Sequence, residues 1–195
     1  MDFAYGCMAR TPCVHHALPR PMVVLVDAVT HCTRKSVYPR KIVRFPHRMK
    51  PGMHNKAIAL LRLLRTEYDA AYYVKIDDDV NISKIVRYEQ AVLRTRASYY
   101  GKCVVGYPLV MKTTLTRVSY AQGGIYVLSN VSIRHVLHKH RSVVSRWDAL
   151  FQTPMGNRRR LDEDALVGGV LYMANINLTC ATIILVHGCK TCDYT

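Results

Sequence analysis

The sequence predicts an α/β domain with a mostly parallel central sheet flanked by helices. Three observations carry this. Strand-like apolar runs alternate with amphipathic helical stretches along the chain. Half of the 195 residues are hydrophobic, which supplies one domain's core and argues against global disorder. Three consecutive aspartates, Asp77, Asp78 and Asp79, close one strand-like run, and sheets of this class bind ligands beyond the carboxyl ends of their strands.

The elements follow in order. Residues 1–21 read as a basic, poorly ordered leader with prolines, and the folded domain is expected over 22–190, with a short tail at 191–195. "PMVVLVDAV", residues 21–29, is a strand broken by Asp27. "HNKAIALLRLLRTEYD" places Ala57, Leu60, Leu61 and Leu64 at i, i+3, i+4, i+7, which predicts an amphipathic helix. "AAYYVKI" is tyrosine-rich and β-branched, hence a strand, with Tyr72 and Tyr73 as core residues. After the aspartates, Ser83 is suited to cap a helix over residues 83–97. "GKCVVGY" and "GGIYVLS" are strands, and the latter enters the helix "NVSIRHVLHKH", with Ile133, Val136, Leu137 and His140 on one face. "DEDALVGGVLYMANI" is helical, with acidic residues in the first turn where the helix dipole favours them. "ATIILV", residues 181–186, is the last strand. "FPHRMKPGMH" and the arginine-bearing "TPMGNRRRL" read as loops.

Charge and cysteines narrow the function classes. The formal charge is +15, so the surface attracts polyanions. A nucleic-acid-binding module is therefore the alternative reading, but it leaves three adjacent carboxylates unexplained, since they repel phosphates without a metal. No apolar run approaches the roughly 20 residues that span a bilayer. Seven cysteines leave at least one unpaired within the chain. Cys189 and Cys192, with His187, Cys7, Cys13, His15 and His16, make only a weak zinc pattern, and a disulfide near the carboxyl terminus is expected instead. Sequons stand at Asn81, Asn130 and Asn177.

Hard carboxylate oxygens at a strand end suit Mg²⁺ or Mn²⁺. Downstream, in order, come "YAQGGIYVLS", "EDALVG" and "LVHG". With Lys75 two residues before the aspartates, these motifs resemble those of the metal-dependent β-1,3-glycosyltransferases, the family of fringe and the β-1,3-galactosyl- and N-acetylglucosaminyltransferases, and of their trypanosomatid relatives. The resemblance covers about residues 23–188. The chain departs from it at Ile125, where the family has a third glycine, and at Ala165, where it has valine.

The resemblance implies a single GT-A-type nucleotide-sugar-binding domain, shortened at its amino terminus and without the family's membrane anchor. It implies transfer of galactose or N-acetylglucosamine from UDP-galactose or UDP-N-acetylglucosamine, with inversion, to a glycan hydroxyl on glycoprotein or glycolipid in β-1,3 linkage. Mn²⁺ is the implied cofactor, with Asp79 and His187 as ligands. Asp78 is implied to meet the ribose or metal-bound water, with Asp77 and Lys75 supporting the donor. Gly123, Gly124 and Glu163 complete the implied donor site. Asp164 is the implied general base, with Glu163 raising its pKa by like-charge repulsion. No nucleic-acid partner is implied, and the implied location is the lumenal side of the Golgi membrane. A catalytically degenerate copy of such an enzyme is the remaining alternative.

Overall fold

The computed structural model describes residues 1–9, 22–26, 40–44, 53–77, 80–81, 83–111, 114–151 and 161–183. These form β1 (Phe3–Ala9), β2 (Met22–Val26), β3 (Arg40–Arg44), α1 (Met53–Glu67), β4 (Tyr72–Asp77), α2 (Ile85–Thr95), β5 (Tyr99–Met111), β6 (Thr114–Ser129), α3 (Asn130–Phe151), α4 (Glu163–Met173) and β7 (Leu178–Cys180). The fold is α/β, as expected. Strand order across the single sheet is β3-β2-β1-β4-β6-β5-β7.

The sheet is mixed and not mostly parallel. Its parallel half, β3-β2-β1-β4, is joined to β6, which runs antiparallel to both β4 and β5. β5 and β6 are separated by a short connection, and a short connection between adjacent strands enforces the antiparallel sense. The sequence reading took the two as separate short strands and missed this long hairpin. β7 then adds in parallel to β5.

Strand alternation sends successive side chains to opposite faces, and each face has its own core. On one face α1, α3 and α4 cover Ala4, Met8, Tyr73, Tyr126 and Leu128. The other face holds Phe3, Tyr5, Cys7, Val74, Ile76 and Val127, together with Ile85, Tyr88 and Val92 of α2.

Three expectations change. The leader expected over residues 1–21 contains a strand: Phe3–Ala9 is β1, buried at the middle of the sheet between β2 and β4. A Cβ at Gly6 would stand 2.6 Å from Leu64 Cδ1, so α1 lies directly on this strand. Residues 10–21, the rest of that leader, lie outside the described residues, as do residues 184–195. Ser83 does not cap α2: its backbone N–H donates to Asn81 Oδ1 at 2.9 Å, and the N-cap position is Lys84, with no side-chain cap. The last described strand is Leu178–Cys180, earlier than residues 181–186, and Ala181–Ile183 are irregular.

A disulfide joins Cys103 of β5 to Cys180 of β7. Among the described residues, no helix is long and apolar enough to cross a membrane.

Candidate active site

β4 delivers the site. Lys75 shares a face with Tyr73, so its side chain points beneath α4 and not to solvent. Only 2% of that side chain is exposed. A buried ammonium is costly unless paired, and this one has two partners. Its Nζ lies 2.6 Å from Glu163 Oε1 and 3.0 Å from Asp77 Oδ1. It also stands 5.4 Å from the ring centroid of Tyr126, its cross-strand neighbour on β6. Burial opposes the lysine's charge, yet Glu163, Asp77 and Asp164 outweigh that and hold its pKa above the ordinary value.

α4 supplies two adjacent carboxyls in its first turn. The helix lies close on β6, because Gly168 permits it: a Cβ there would meet Tyr120 Cβ at 2.5 Å. The partly buried Asp164 accepts a hydrogen bond from the Gly123 N–H at 3.2 Å through Oδ2. Gly123 has a φ of +106°, a conformation that side-chain-bearing residues rarely adopt. Nothing lies within 4 Å of a Cβ built there, so the backbone and not space requires the glycine.

The two carboxyls behave as a coupled pair. Burial raises Glu163 to about 8, against the opposing pull of Lys75, and the charge of Asp164 adds to the rise. Burial likewise raises Asp164 to about 6, with Lys75 and the Gly123 N–H holding it down. Asp164 Oδ1 and Glu163 Oε2 are both buried and receive no hydrogen bond from a nitrogen or hydroxyl of the described residues. Glu163, raised to about 8, keeps a proton at neutral pH, and its side chain acts on Asp164 in the lowering direction. The expected like-charge push of Glu163 on Asp164 is therefore corrected: burial raises Asp164, and Glu163 lowers it.

Lys75, Asp77, Gly123, Glu163 and Asp164, far apart in the chain, thus meet in one cluster. Gly124 is buried next to Gly123 on β6. Ile125, where a glycine was expected, packs its side chain into the opposite core and pairs with Ile76. Asp78, Asp79 and His187 lie outside the described residues, as do Arg158, Arg159 and Arg160. Among the described residues no group of three His, Cys, Asp or Glu is arranged to hold a metal. Asp77 is the one member of the aspartate run that is described, and its carboxylate is engaged by Lys75. Cys7, named in the weak zinc pattern, is buried within the core. Tyr126 was part of a quoted motif without a role. Its pairing opposite Lys75 becomes visible only once the strand register is known.

The cluster leaves Asp164 mostly ionised at neutral pH, with its pKa raised to about 6, and keeps that carboxylate between a backbone donor and a neighbouring acid. No protein-family model matches the chain, and no curated protein matches it.

Proposed function

We propose that the chain is a metal-dependent inverting glycosyltransferase on a GT-A-type domain. It would move galactose or N-acetylglucosamine from the UDP-sugar to a glycan hydroxyl in β-1,3 linkage. One observation carries this reading. Residues from three distant segments that resemble a glycosyltransferase's donor and base motifs converge on one buried charge cluster at the end of β4.

In this reading Asp164 is the general base. The acceptor hydroxyl attacks the anomeric carbon from the face opposite the departing UDP. The new carbon–oxygen bond forms as the bond to the diphosphate breaks, and the hydroxyl proton passes to Asp164. A base with a pKa near 6 is mostly ionised at neutral pH and still a competent acceptor. Gly123 and Glu163 orient its carboxylate, while Lys75 ties α4 to the end of β4 and so fixes that carboxylate relative to Asp77. Lys75 and Glu163 are both buried, and in this reading they support the donor site through Asp77 and Asp164. Hard oxygens with one imidazole suit Mn²⁺, and Asp79 and His187 would hold it, with Asp78 close to the ribose or a metal-bound water. The ion would offset charge on the leaving diphosphate.

The setting we propose is the lumenal side of the Golgi membrane. Two features support it: the Cys103–Cys180 bridge suits an oxidising compartment, and the sequons at Asn81 and Asn177 are exposed. Asn130 differs, because its Nδ2 donates to Ala70 O at 3.2 Å and a glycan there would break that bond.

The test is Asp164→Asn. The amide preserves shape and can still accept from Gly123, but it has no basicity. Transfer should fall by about 10²–10⁴-fold, while Mn²⁺-dependent UDP affinity and the melting temperature stay near wild type. UDP release from UDP-galactose and UDP-N-acetylglucosamine, followed with and without Mn²⁺, reads the chemistry, and calorimetry reads UDP binding. Undiminished transfer in Asp164→Asn would remove the base. UDP binding of equal strength in Mn²⁺ and in chelator would remove the metal.

A further inference from the structure

A second site lies away from the carboxylate cluster and shares no residue with it. Helices α1 and α3 cover the same face of the sheet, and a cavity of about 300 Å³ opens between them. Its floor is apolar: Ile58 and Ala59 from α1, and Val144 from α3. Its polar lining is Asn55 and Arg62 from α1 with His140, Arg141 and Ser145 from α3, and the two arginines are its cations. Among the described residues, no acidic side chain lines it. Among the described residues, neither Arg62 nor Arg141 enters an ion pair.

The histidine is already oriented. His140 Nδ1 lies 3.1 Å from both Val136 O and Leu137 O of its own helix. Two carbonyls can only accept, so Nδ1 carries the hydrogen, and Nε2 of the neutral ring is left to accept from a ligand hydroxyl. Burial lowers the His140 pKa, and the charges of Arg62 and Arg141 lower it further. The two guanidiniums at one small cavity repel each other, and an anion between them reverses the sign of that interaction.

We propose that this cleft binds a phosphate monoester. The two guanidinium forks match phosphate oxygens in a way that point charges do not. A volume of about 300 Å³ exceeds a bare phosphate ion and sits at the small end of organic-ligand sites. The apolar floor is suited to a small organic group attached to the phosphate. The site stands independently of the proposed transfer reaction, because its walls and floor come from α1 and α3 alone.

The experiment titrates the full chain with glucose 6-phosphate, a simple phosphate monoester, and separately with inorganic phosphate. Calorimetry reads affinity, and the ring signals of His140 in the NMR spectrum report occupancy of this cleft. Variants are Arg62→Gln, Arg141→Gln and Arg141→Lys, with Lys139→Gln as the exposed, charge-matched control on the same helix, and each is accompanied by a melting curve. Binding should shift the His140 signals. Each glutamine variant should weaken it by about 3–30-fold, as expected for loss of one charge-assisted, partly solvated contact. Arg141→Lys should recover only part of that loss, and Lys139→Gln should bind like wild type. Tighter binding of the ester than of the free ion assigns the organic moiety to the apolar floor, and equal binding assigns the site to free phosphate. The proposal is overturned if neither probe moves the His140 signals. It is also overturned if Lys139→Gln weakens binding as much as Arg62→Gln does, since that would be the diffuse attraction of a +15 chain. Asp164→Asn should leave phosphate binding unchanged, which separates a failure here from a failure of the transferase reading.

Discussion

Lys75→Met removes the cation buried between Glu163 and Asp77. The lysine ammonium lies 2.6 Å from Glu163 and 3.0 Å from Asp77, and the side chain is 2% exposed. Deleting one partner of a buried, paired charge costs about 3–5 kcal/mol, because the remaining charge is stranded. Two features of this site reduce that figure. Methionine fills nearly the same volume and can contact the Tyr126 ring, recovering about 0.3–1.5 kcal/mol. Glu163, already raised to about 8 by burial, escapes by keeping a proton. The net loss near pH 7 should therefore be about 2–4 kcal/mol. For a chain of this size that is about 4–16 °C in melting temperature. Lys75 itself has a raised pKa, so its charge is complete below about 10.5 and does not change between pH 5 and 8. Any pH dependence of the mutant's deficit in that window comes from the carboxyls. The deficit should shrink towards pH 5, where Glu163 is neutral in the folded chain of both proteins. Calorimetric melting of both proteins at pH 5 and 7.5 reads this. A variant as stable as wild type at pH 7.5, or one whose deficit is no smaller at pH 5, would refute the buried-pair account.

Further outcomes are expected. Glu163 and Asp164 have folded pKa values of about 8 and about 6, raised from 4.5 and 3.8, so the folded chain holds more protons between those limits. Their contribution to stability is complete below the unfolded values and lost as pH rises through the folded ones; Glu163→Gln should flatten the upper part of that fall in a pH series of melting curves, and an unchanged slope would contradict the assignment. Gly168→Val should destabilise by about 1–3 kcal/mol or more by forcing α4 off β6 at Tyr120, measured by urea unfolding, and a neutral result would deny the close approach. Cys103→Ser should cost up to about 4.5 kcal/mol, the loop-closure limit for a bridge 77 residues apart in sequence. Wild-type chain that melts at the same temperature with and without reductant would show the bridge to contribute nothing.

The helices and the strand bearing the site were legible because their patterns are local. Ala57, Leu60, Leu61 and Leu64 mark α1 by periodicity, and all four are buried. Ile133 and Val136 mark α3 in the same way. The acidic first turn of α4 was readable from "DEDALVGG", where Glu163 and Asp164 begin the helix. β1 was missed although "FAYGCMA" is a continuous apolar run, the mark of a strand buried on both faces; the nearby prolines and basic residues obscured it. The short connection from β5 to β6 carries no Asn-Gly or Asp-Gly pair, so the hairpin had no turn signal to announce it.

By itself, the sequence determined that this is an α/β chain, that Asp77 closes a strand, and that an acidic pair opens a late helix. These depend on neighbours a few residues apart. Only the tertiary structure decided which charges meet. Pairing β4 against β6 puts Lys75 over Tyr126, and the packing of Gly168 on Tyr120 brings Glu163 to within 2.6 Å of that lysine. Burial then inverts the expected electrostatics of the acidic pair. The desolvation cost of a carboxyl depends on what surrounds it in space, and no spacing along the chain records that.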